Sequence, residues 1–355
     1  MSSSSSSTPN PNPTAAPLQA SSSFGLQLLR QKPLADPAGN SFSGKTVLIT
    51  GANSGLGLAA ATKFASLSVS RLILAVRNIE AGQAAREAIE ADTGPGGKGV
   101  VEVWELDMDS YESIKAFVKR VNEELERLDV VVLNAGVYMV DYRVGRYGVE
   151  ETLQVNTLST VLLGALLLPK LKEGSAKGKA AVLEFVTSRR AEAVQLTEKQ
   201  RRGGLLKGLR ETGERGYNPS ERYRVSKFLT ICAMKKLATV VEADEVVVTA
   251  VCPGGVATNL SRGWTGVVAT IVKAAVNKLF MRTPEYAART LVSAAAIGRE
   301  VHGRFWYDDE INDLPNLAGK DGEQLVDQIW TELTEVLRRE VPEVDGVLKI
   351  LSAQD

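Results

Sequence analysis

The chain has few of the residues that metal centres, hydrolase triads and disulfide frameworks require. Its 355 residues include one histidine, His302, and two cysteines, Cys232 and Cys252. A Ser-His-Asp triad or a multi-histidine metal centre would depend on His302 alone, whose place in a turn beside Gly303 favours a structural role at a strand edge. Two cysteines form neither a disulfide framework nor the paired spacing of a structural zinc site. We therefore expect no bound metal and a reducing, cytoplasmic location.

Net charge and long apolar runs are also missing. The 42 Lys and Arg residues balance 42 Asp and Glu residues, so no net field attracts a nucleic acid or an anionic membrane. The longest uncharged apolar runs, 157–169 and 263–272, are shorter than the ~18 to 20 residues that span a bilayer. The composition predicts a small-molecule substrate, no nucleic-acid partner and no integral membrane segment.

Composition shifts divide the chain into a leader, one domain and a tail. Residues 1–40 are rich in Ser, Pro, Asn and Ala, which predicts a disordered leader. They lack the charged start and apolar stretch of a secretory signal, so no such signal is predicted. A catalytic domain is predicted over 41–345, followed by a tail at 346–355. Residues 259–282 are predicted to form helices that wall a substrate pocket, with an interfacial membrane helix as the alternative.

The pattern after residue 45 alternates β-branched runs with amphipathic stretches, which predicts one doubly wound α/β domain of the Rossmann type. Its parallel sheet would have helices on both faces. Seven strands are predicted at 46–50, 71–75, 100–105, 130–134, 180–186, 246–251 and 304–307. Helices are predicted at 57–67, 79–91, 110–125, 149–171 and 223–240.

A glycine-rich turn, TGANSGLG at 50–57, joins the first strand to the first helix. Gly51 suits a tight turn, Gly55 admits backbone amides to a pyrophosphate, and Gly57 lets the helix pack close to the sheet. The helix N-terminus would supply free N–H groups to the phosphates. No Gly-Lys-Ser/Thr follows, which excludes a phosphate-loop NTPase. The predicted cofactor contacts here are Gly51, Asn53, Ser54, Gly55, Leu56 and Gly57.

Arg77 follows the second strand, where an acidic residue would bind the ribose 2′-hydroxyl of NAD. A guanidinium suits the 2′-phosphate of NADP through charge-assisted hydrogen bonds, whereas a carboxylate would repel it. This position predicts NADP as the cofactor. The alternative is an ordinary surface arginine at a strand end.

Two further strand ends would complete the cofactor site. Asp107 follows the third strand and is predicted either to lie at the adenine edge or to cap the helix that begins near Ser110. Asn134, Ala135 and Gly136 follow the fourth strand and form a small-residue turn that lets backbone pack beside the cofactor.

Four polar residues in order along the chain predict the catalytic group. Tyr223 and Lys227 in YRVSK lie four residues apart, on one face of a predicted helix. Bringing the pKa of a tyrosine from ~10 to near neutrality takes about 3 units, or roughly 4 kcal/mol, which Lys227 and an oxidised nicotinamide would supply together. Ser188, after the fifth strand, would polarise a substrate oxygen, and Asn156 is an amide inside an apolar helix that needs a partner. Each also has an ordinary structural interpretation.

These motifs together resemble the short-chain dehydrogenase/reductase family over residues 40–340. AVRN at 75–78, RTPEYAARTLV at 282–292 and WTELTEVLRREVPE at 330–343 are similar to its retinol-dehydrogenase-like and WW-domain oxidoreductase-like branch, especially fungal members. The resemblance implies that Tyr223 is the acid/base and that Lys227 lowers its pKa and binds the nicotinamide ribose. It further implies that Ser188 stabilises the substrate oxygen and that Asn156 holds a water in a proton relay. Predicted contacts along the cofactor are Asn134, Ala135, Gly136, Pro253, Gly254, Val256 and Thr258.

The resemblance implies hydride transfer between NADP(H) and the carbonyl or secondary alcohol of an apolar small molecule. It also suggests a role in secondary metabolism and a homodimeric assembly. One alternative is a non-catalytic NADP-binding sensor, which need not keep all four catalytic residues. Another, a sugar-nucleotide epimerase, would show TGxxGxxG where this chain has TGxxxGxG. Residues 189–222 form an insertion with nine Lys/Arg and five Glu, interpreted as a solvated excursion, a lid or a surface for an acidic partner.

Overall fold

The computed structural model describes residues 41–94, 97–175, 179–256 and 281–352. The predicted leader at 1–40, Thr258 and most of the predicted pocket helices at 259–282 lie outside these ranges. The structure therefore bears on the sheet, its covering helices and the loops at the sheet edges.

Five of the strands are short runs of mainly β-branched and aliphatic residues that are buried almost throughout, as in a parallel sheet covered on both faces. In chain order the strands are β1 (Thr46–Thr50), β2 (Arg71–Val76), β3 (Val101–Glu105), β4 (Val130–Leu133), β5 (Ala181–Val186), β6 (Val246–Val251), β7 (Phe305–Tyr307) and β8 (Glu310–Ile311). Their order in the sheet is β3-β2-β1-β4-β5-β6-β7-β8. The order reverses between β1 and β4, which is where open α/β sheets bind ligands.

Seven strands run parallel as predicted, and the structure adds an eighth. The two-residue strand β8 pairs antiparallel with β7. Asp308 and Asp309 form the turn between them with φ angles of 52° and 60°. Two successive residues at positive φ are typical of a tight hairpin turn. Two exposed residues carry no periodicity, so the sequence pattern could not reveal β8.

The helices cover both faces of the sheet. They are α1 (Gly55–Ser66), α2 (Ile79–Thr93), α3 (Tyr111–Glu124), α4 (Glu151–Ser175), α5 (Glu198–Gly203), α6 (Leu205–Thr212), α7 (Pro219–Ala238), α8 (Pro284–Ile297), α9 (Gly319–Glu340) and α10 (Glu343–Ser352). One apolar core lies between the sheet and α1, α2 and α8. The other lies between the sheet and α3, α4, α6, α7 and α9.

Helix α4 is the one helix in the described ranges that is long and apolar enough to cross a bilayer. Most of its apolar stretch is buried inside the fold, where it packs on the sheet and on α7. Its apolar composition is thus explained by its position in the core.

Part of the insertion at 189–222 packs into the core, while most of its described residues are exposed or half-buried. Leu205, Leu206 and Leu209 of α6 are buried against α9. The backbone N–H groups of Leu205 and Leu206 donate to the Glu332 carboxylate at 3.1 and 2.8 Å. A carboxylate at a helix N-terminus satisfies free donors and complements the helix dipole. The apolar face of α6 and this cap fix the insertion on the body of the protein.

The predicted tail boundary at 345/346 falls inside α10, which packs on α4. Val344 is buried at its start. The domain therefore continues at least to Ser352.

Candidate active site

Glycines shape the turn after β1. Gly51 and Gly55 have φ angles of 66° and 54°, which disfavour side chains. A Cβ at Gly57 would lie 2.4 Å from the Gly51 carbonyl oxygen and 2.6 Å from Nδ2 of Asn134. Any larger residue would push α1 away from the turn.

The N-terminus of α1 fits a bound phosphate. Ser54 occupies the N-cap position, yet its side chain makes no capping hydrogen bond. The first helical N–H to bond within the helix is that of Leu58, to the Ser54 carbonyl at 3.3 Å. Within the described part of the chain, the N–H groups of Gly55, Leu56 and Gly57 therefore keep donors for a ligand. The Leu56 side chain is buried, so only its backbone can serve the cofactor.

Arg77 is exposed at the end of β2. The next residue, Asn78, caps α2 by accepting a hydrogen bond from Ala81 N at 2.9 Å. Among the residues that the structure describes, Arg77 makes no hydrogen bond or ion pair. Its charge acts on the carboxylates of Asp109 and Glu151, and the exposed guanidinium remains accessible to a phosphate group.

Asp107 does not cap α3, so that alternative is wrong. Ser110 is the cap and accepts from Ser113 N at 3.2 Å. Asp107 instead accepts from Asp109 N at 3.1 Å and lies 3.9 Å from the guanidinium of Arg146. The sequence did not single out Arg146, because it follows no strand and belongs to no motif.

The turn after β4 braces the glycine turn and borders the catalytic residues. Asn134 Nδ2 donates to the Thr50 carbonyl at 2.8 Å, and Ala135 N donates to Thr50 Oγ1 at 2.9 Å. A Cβ on Gly136 would lie 3.2 Å from Asn156 Oδ1 and 3.7 Å from Lys227 Nζ. Gly136 therefore lies where the cofactor turn meets the predicted catalytic group.

Asn156 lies in a π-helical turn, Gln154–Ser159, within α4. Its Oδ1 accepts from Val137 N at 2.7 Å, and its Nδ2 donates to the Val137 carbonyl at 2.8 Å and to Ser226 Oγ at 3.3 Å. A π-helical turn contains more residues than an α-helical turn, and such turns are frequent at functional sites. The side chain is the partnered buried amide that the sequence predicted, while its role in holding a water stays a prediction.

Tyr223 and Lys227 lie one turn apart on α7. The helix begins at Pro219, four residues before the predicted start, because Asn218 caps it by accepting from Glu221 N at 3.0 Å. Lys227 Nζ lies 5.7 Å from the centre of the Tyr223 ring and donates to the Val186 carbonyl at 2.9 Å. The Tyr223 ring also packs against Tyr138, with ring centres 5.6 Å apart. Strand β5 thus positions Lys227, and Lys227 lies beside the phenol.

Burial dominates the ionisation of this pair in the protein alone. It raises the pKa of Tyr223 above the usual range and lowers the pKa of Lys227 to about 8. Desolvation disfavours the charged form of each group. The expected lowering of the Tyr223 pKa by Lys227 is therefore not present without cofactor, and the neutral phenol is the stable form.

Ser188 directly follows the end of β5 and begins a short 3₁₀ helix, Arg189–Ala193. Its Oγ accepts a hydrogen bond from Arg190 N at 3.3 Å. The guanidinium carbon of Arg190 lies 5.9 Å from the centre of the Tyr223 ring. This arrangement brings Ser188 and Tyr223 into contact with the same residue, Arg190.

The turn after β6 is held by a buried arginine that the sequence did not single out. Arg282 Nη1 donates to the Pro253 carbonyl at 3.1 Å, and Nη2 pairs with Asp308 at 2.6 Å. Gly254 has φ of 82°, and a Cβ there would lie 3.1 Å from the guanidinium. Val256 forms a β-bridge with Arg282. The sequence feature that could have identified Arg282 is its position directly before the Thr-Pro pair at which α8 begins.

His302 has the structural role expected of it. Its Nδ1 accepts from Val248 N at 3.2 Å, and its other ring nitrogen lies 2.8 Å from the Ala238 carbonyl. Within the described ranges, no three His, Cys, Asp or Glu side chains cluster as they would around a metal ion.

Comparisons with known proteins agree with this fold. Residues 45–193 match the family model described as short chain dehydrogenase. The short-chain dehydrogenase/reductase phmF of Phaeosphaeria nodorum is 40% identical over 322 residues, covering 90% of this chain and 94% of the relative. The short-chain dehydrogenase/reductase ffsI of Aspergillus flavipes is 37% identical over 319 residues, covering 89% and 92%. A short chain dehydrogenase of Escherichia coli, solved in complex with NADPH, superposes with a TM-score of 0.55 at 21% identity, covering 77% of this chain and all of that one.

The strand order and the glycine turn at the switch point define a Rossmann-type α/β protein. The similarity to the two fungal proteins extends over nearly the whole length of each. This chain is a member of the short-chain dehydrogenase/reductase family and hence an oxidoreductase that uses a nicotinamide cofactor.

Proposed function

We propose that the protein catalyses NADP-dependent hydride transfer, chiefly the reduction of a ketone or aldehyde on an apolar small molecule. The observation that carries the proposal is the placement of Lys227 beside Gly136 and the Val186 carbonyl, at the carboxyl edge of β4 and β5, with Tyr223 one helical turn away on α7. We further propose a cytoplasmic enzyme of fungal secondary metabolism, supported by the fungal sources of the relatives and by two buried, unpaired cysteines.

The chain's own residues would act on the substrate oxygen. Tyr223, as a neutral phenol, would donate its proton to the carbonyl oxygen, and Ser188 would hold that oxygen by a hydrogen bond. Lys227 would stabilise the phenolate that remains and contact the cofactor ribose. NADPH, when bound, supplies the hydride. At neutral pH the phenol carries its proton, as an acid that protonates a carbonyl oxygen must.

The Gly51–Gly57 turn and the free N–H groups of α1 would hold the pyrophosphate. Arg77 would bind the 2′-phosphate, because it is exposed and makes no ion pair among the described residues. Asp107 and the turn at 134–136 would border the adenosine, and Pro253, Gly254 and Val256 would lie along the nicotinamide.

Tyr223→Phe tests the acid role. Removing the hydroxyl should lower kcat roughly 10²- to 10⁴-fold in a screen of ketones and aldehydes followed by NADPH consumption. The affinity for NADPH, measured by fluorescence titration, should change little. Near-normal turnover in Tyr223→Phe would refute the assignment, and NADPH binding without turnover of any carbonyl would favour a cofactor sensor.

Arg77→Ala tests the cofactor choice. Loss of a charge-assisted contact should weaken NADPH binding roughly 10- to 100-fold. NADH binding should stay nearly the same, because NADH has no 2′-phosphate. Equal losses for both nucleotides would show that Arg77 only supports the fold.

A further inference from the structure

Arg190 contacts both residues that are proposed to hold the substrate oxygen. Its backbone N–H donates to Ser188 Oγ, and its guanidinium lies over the Tyr223 ring. The side chain is held in this position by Ser220, in the first turn of α7, whose Oγ accepts from Nη2 at 2.6 Å. Arg190 therefore connects the strand end that carries Ser188 with the helix that carries Tyr223.

The backbone contact directs the Ser188 hydroxyl. A serine oxygen can accept hydrogen bonds and donate one. Because Arg190 N–H occupies an acceptor site on Oγ, the hydroxyl proton remains available for a substrate oxygen. The same contact fixes Ser188 at the start of the 3₁₀ helix.

The guanidinium is the accessible positive charge beside Tyr223. Lys227, the other nearby cation, is 5% exposed and is bound to the Val186 carbonyl. Arg190 is exposed, and across the described ranges it pairs with no carboxylate. By contrast, Arg222 of the same insertion is paired, since its guanidinium lies 3.8 Å from the Glu150 carboxylate. A guanidinium has five N–H donors, and Ser220 uses one of them.

We propose that Arg190 forms an anion subsite, so that the preferred substrates are otherwise apolar ketones or aldehydes with one anionic oxygen a few bonds from the reacting carbonyl. The inference rests on the proposed function, in which Tyr223 and Ser188 hold the carbonyl oxygen. Guanidinium groups bind carboxylates and other oxyanions by paired, charge-assisted hydrogen bonds. The substrate is then held by its carbonyl oxygen at Tyr223 and Ser188 and by its anionic oxygen at Arg190.

A matched pair of ketones tests the subsite. Benzoylformate and its methyl ester share a skeleton and differ by one negative charge. Binding of each to the full-length protein saturated with NADP⁺, which has no hydride to transfer to a ketone, is measured by isothermal titration or ligand-observed NMR. Variants are Arg190→Met, Arg190→Lys and the control Arg215→Met, which removes an exposed charge elsewhere in the insertion.

The native protein and Arg215→Met should bind the carboxylate about tenfold or more tightly than the ester. Arg190→Met should lose this preference with little change for the ester, and Arg190→Lys should retain part of it. No preference in the native protein, no detectable binding of either ketone, or an unchanged preference in Arg190→Met would overturn the proposal. Failure of NADPH consumption with both compounds would count against the proposed reaction, while the binding ratio still decides the subsite.

Discussion

Lys227 is buried and Tyr223 is half-buried, and desolvation shifts their two pKa values in opposite directions because it disfavours the charged form of each. For Tyr223 it preserves the proton that carbonyl reduction consumes. For Lys227 it leaves an ammonium whose hydration is replaced by one carbonyl contact, to Val186. Arg190 favours the Tyr223 phenolate, whereas Cys252 and Tyr138 disfavour it. Catalytic groups of this kind reduce the stability of the free protein.

Lys227→Met should therefore stabilise the cofactor-free protein at pH 7 while abolishing turnover. A pKa lowered from 10.5 to about 8 corresponds to about 3 kcal/mol of unfavourable burial below pH 8, reduced by the lost bond to Val186. Between pH 8 and 10.5 the folded chain releases this proton before the unfolded chain does, so native stability rises with pH.

Urea unfolding at several pH values measures this difference. The advantage of Lys227→Met should be largest at pH 7 and shrink from pH 8 towards 10.5. Lys235→Met, on the same helix but partly exposed, serves as the control and should give no such gain. Destabilisation by Lys227→Met at pH 7 would show that the Val186 contact outweighs the burial of the charge.

At the scale of elements, Arg282 joins three segments of the site. It precedes α8, bonds to the turn after β6 and pairs with Asp308 in the β7–β8 turn. Arg282 is a positioning residue, since it touches the loop proposed to lie along the nicotinamide and no reacting atom. The buried guanidinium also occupies the space next to Gly254.

Arg282→Met should release the Pro253–Gly254 turn and weaken NADPH binding about tenfold, with a smaller change in kcat. Asp308→Asn keeps the bond from Arg282 to Pro253 and should have a smaller effect. Fluorescence titration gives the affinity, and thermal unfolding shows whether each variant is folded. An unchanged NADPH affinity in a folded Arg282→Met protein would exclude the positioning role.

The sheet was predictable because buried parallel strands are continuous β-branched runs. The seven predicted strands match β1–β7 to within one residue at each end. The glycine turn was predictable as well, because the backbone at Gly51 and the close packing at Gly57 disfavour any side chain, so that glycine itself marks these positions. Asn218 and Pro219 signalled the start of α7, but the prediction placed it at Tyr223.

Contacts between distant segments were not predictable from local patterns. The cap on α6 comes from Glu332, more than 120 residues away in the chain. The π-helical turn at Asn156 depends on Val137 and Ser226, which no local pattern places there. Helices α8, α9 and α10 were not predicted as helices. Parts of α8 and α9 were identified only as family motifs, because the apolar faces of these helices pack on segments that are distant in the chain.

At the scale of the whole molecule, the centre of the sheet contains an unpaired acid. Glu184 lies in the middle of β5, between Val132 of β4 and Thr249 of β6, and is fully buried. Neither carboxylate oxygen has a hydrogen-bond partner in the described residues. Burial raises the pKa of Glu184 well above its ordinary value, so the folded protein holds it as the neutral acid.

This proton makes global stability depend on pH. Below pH 4.5 Glu184 is protonated in both states and has no pH effect. Above pH 4.5 the unfolded chain releases the proton and the folded chain retains it, so stability falls as pH rises towards the folded pKa. Each pH unit in this interval costs about 1.4 kcal/mol.

Glu184→Gln should remove this fall, because glutamine resembles the neutral acid in shape and does not titrate. Relative to the native protein, its urea midpoint should rise progressively from pH 5 to pH 7. Glu102→Gln is the control with the opposite sign, since Arg71 lowers the pKa of Glu102 and stabilises the fold above pH 4.5. That variant should lose stability at pH 7 and approach the native protein as the pH falls. If the difference between Glu184→Gln and the native protein were constant from pH 5 to pH 7, Glu184 would not hold a proton in the folded sheet.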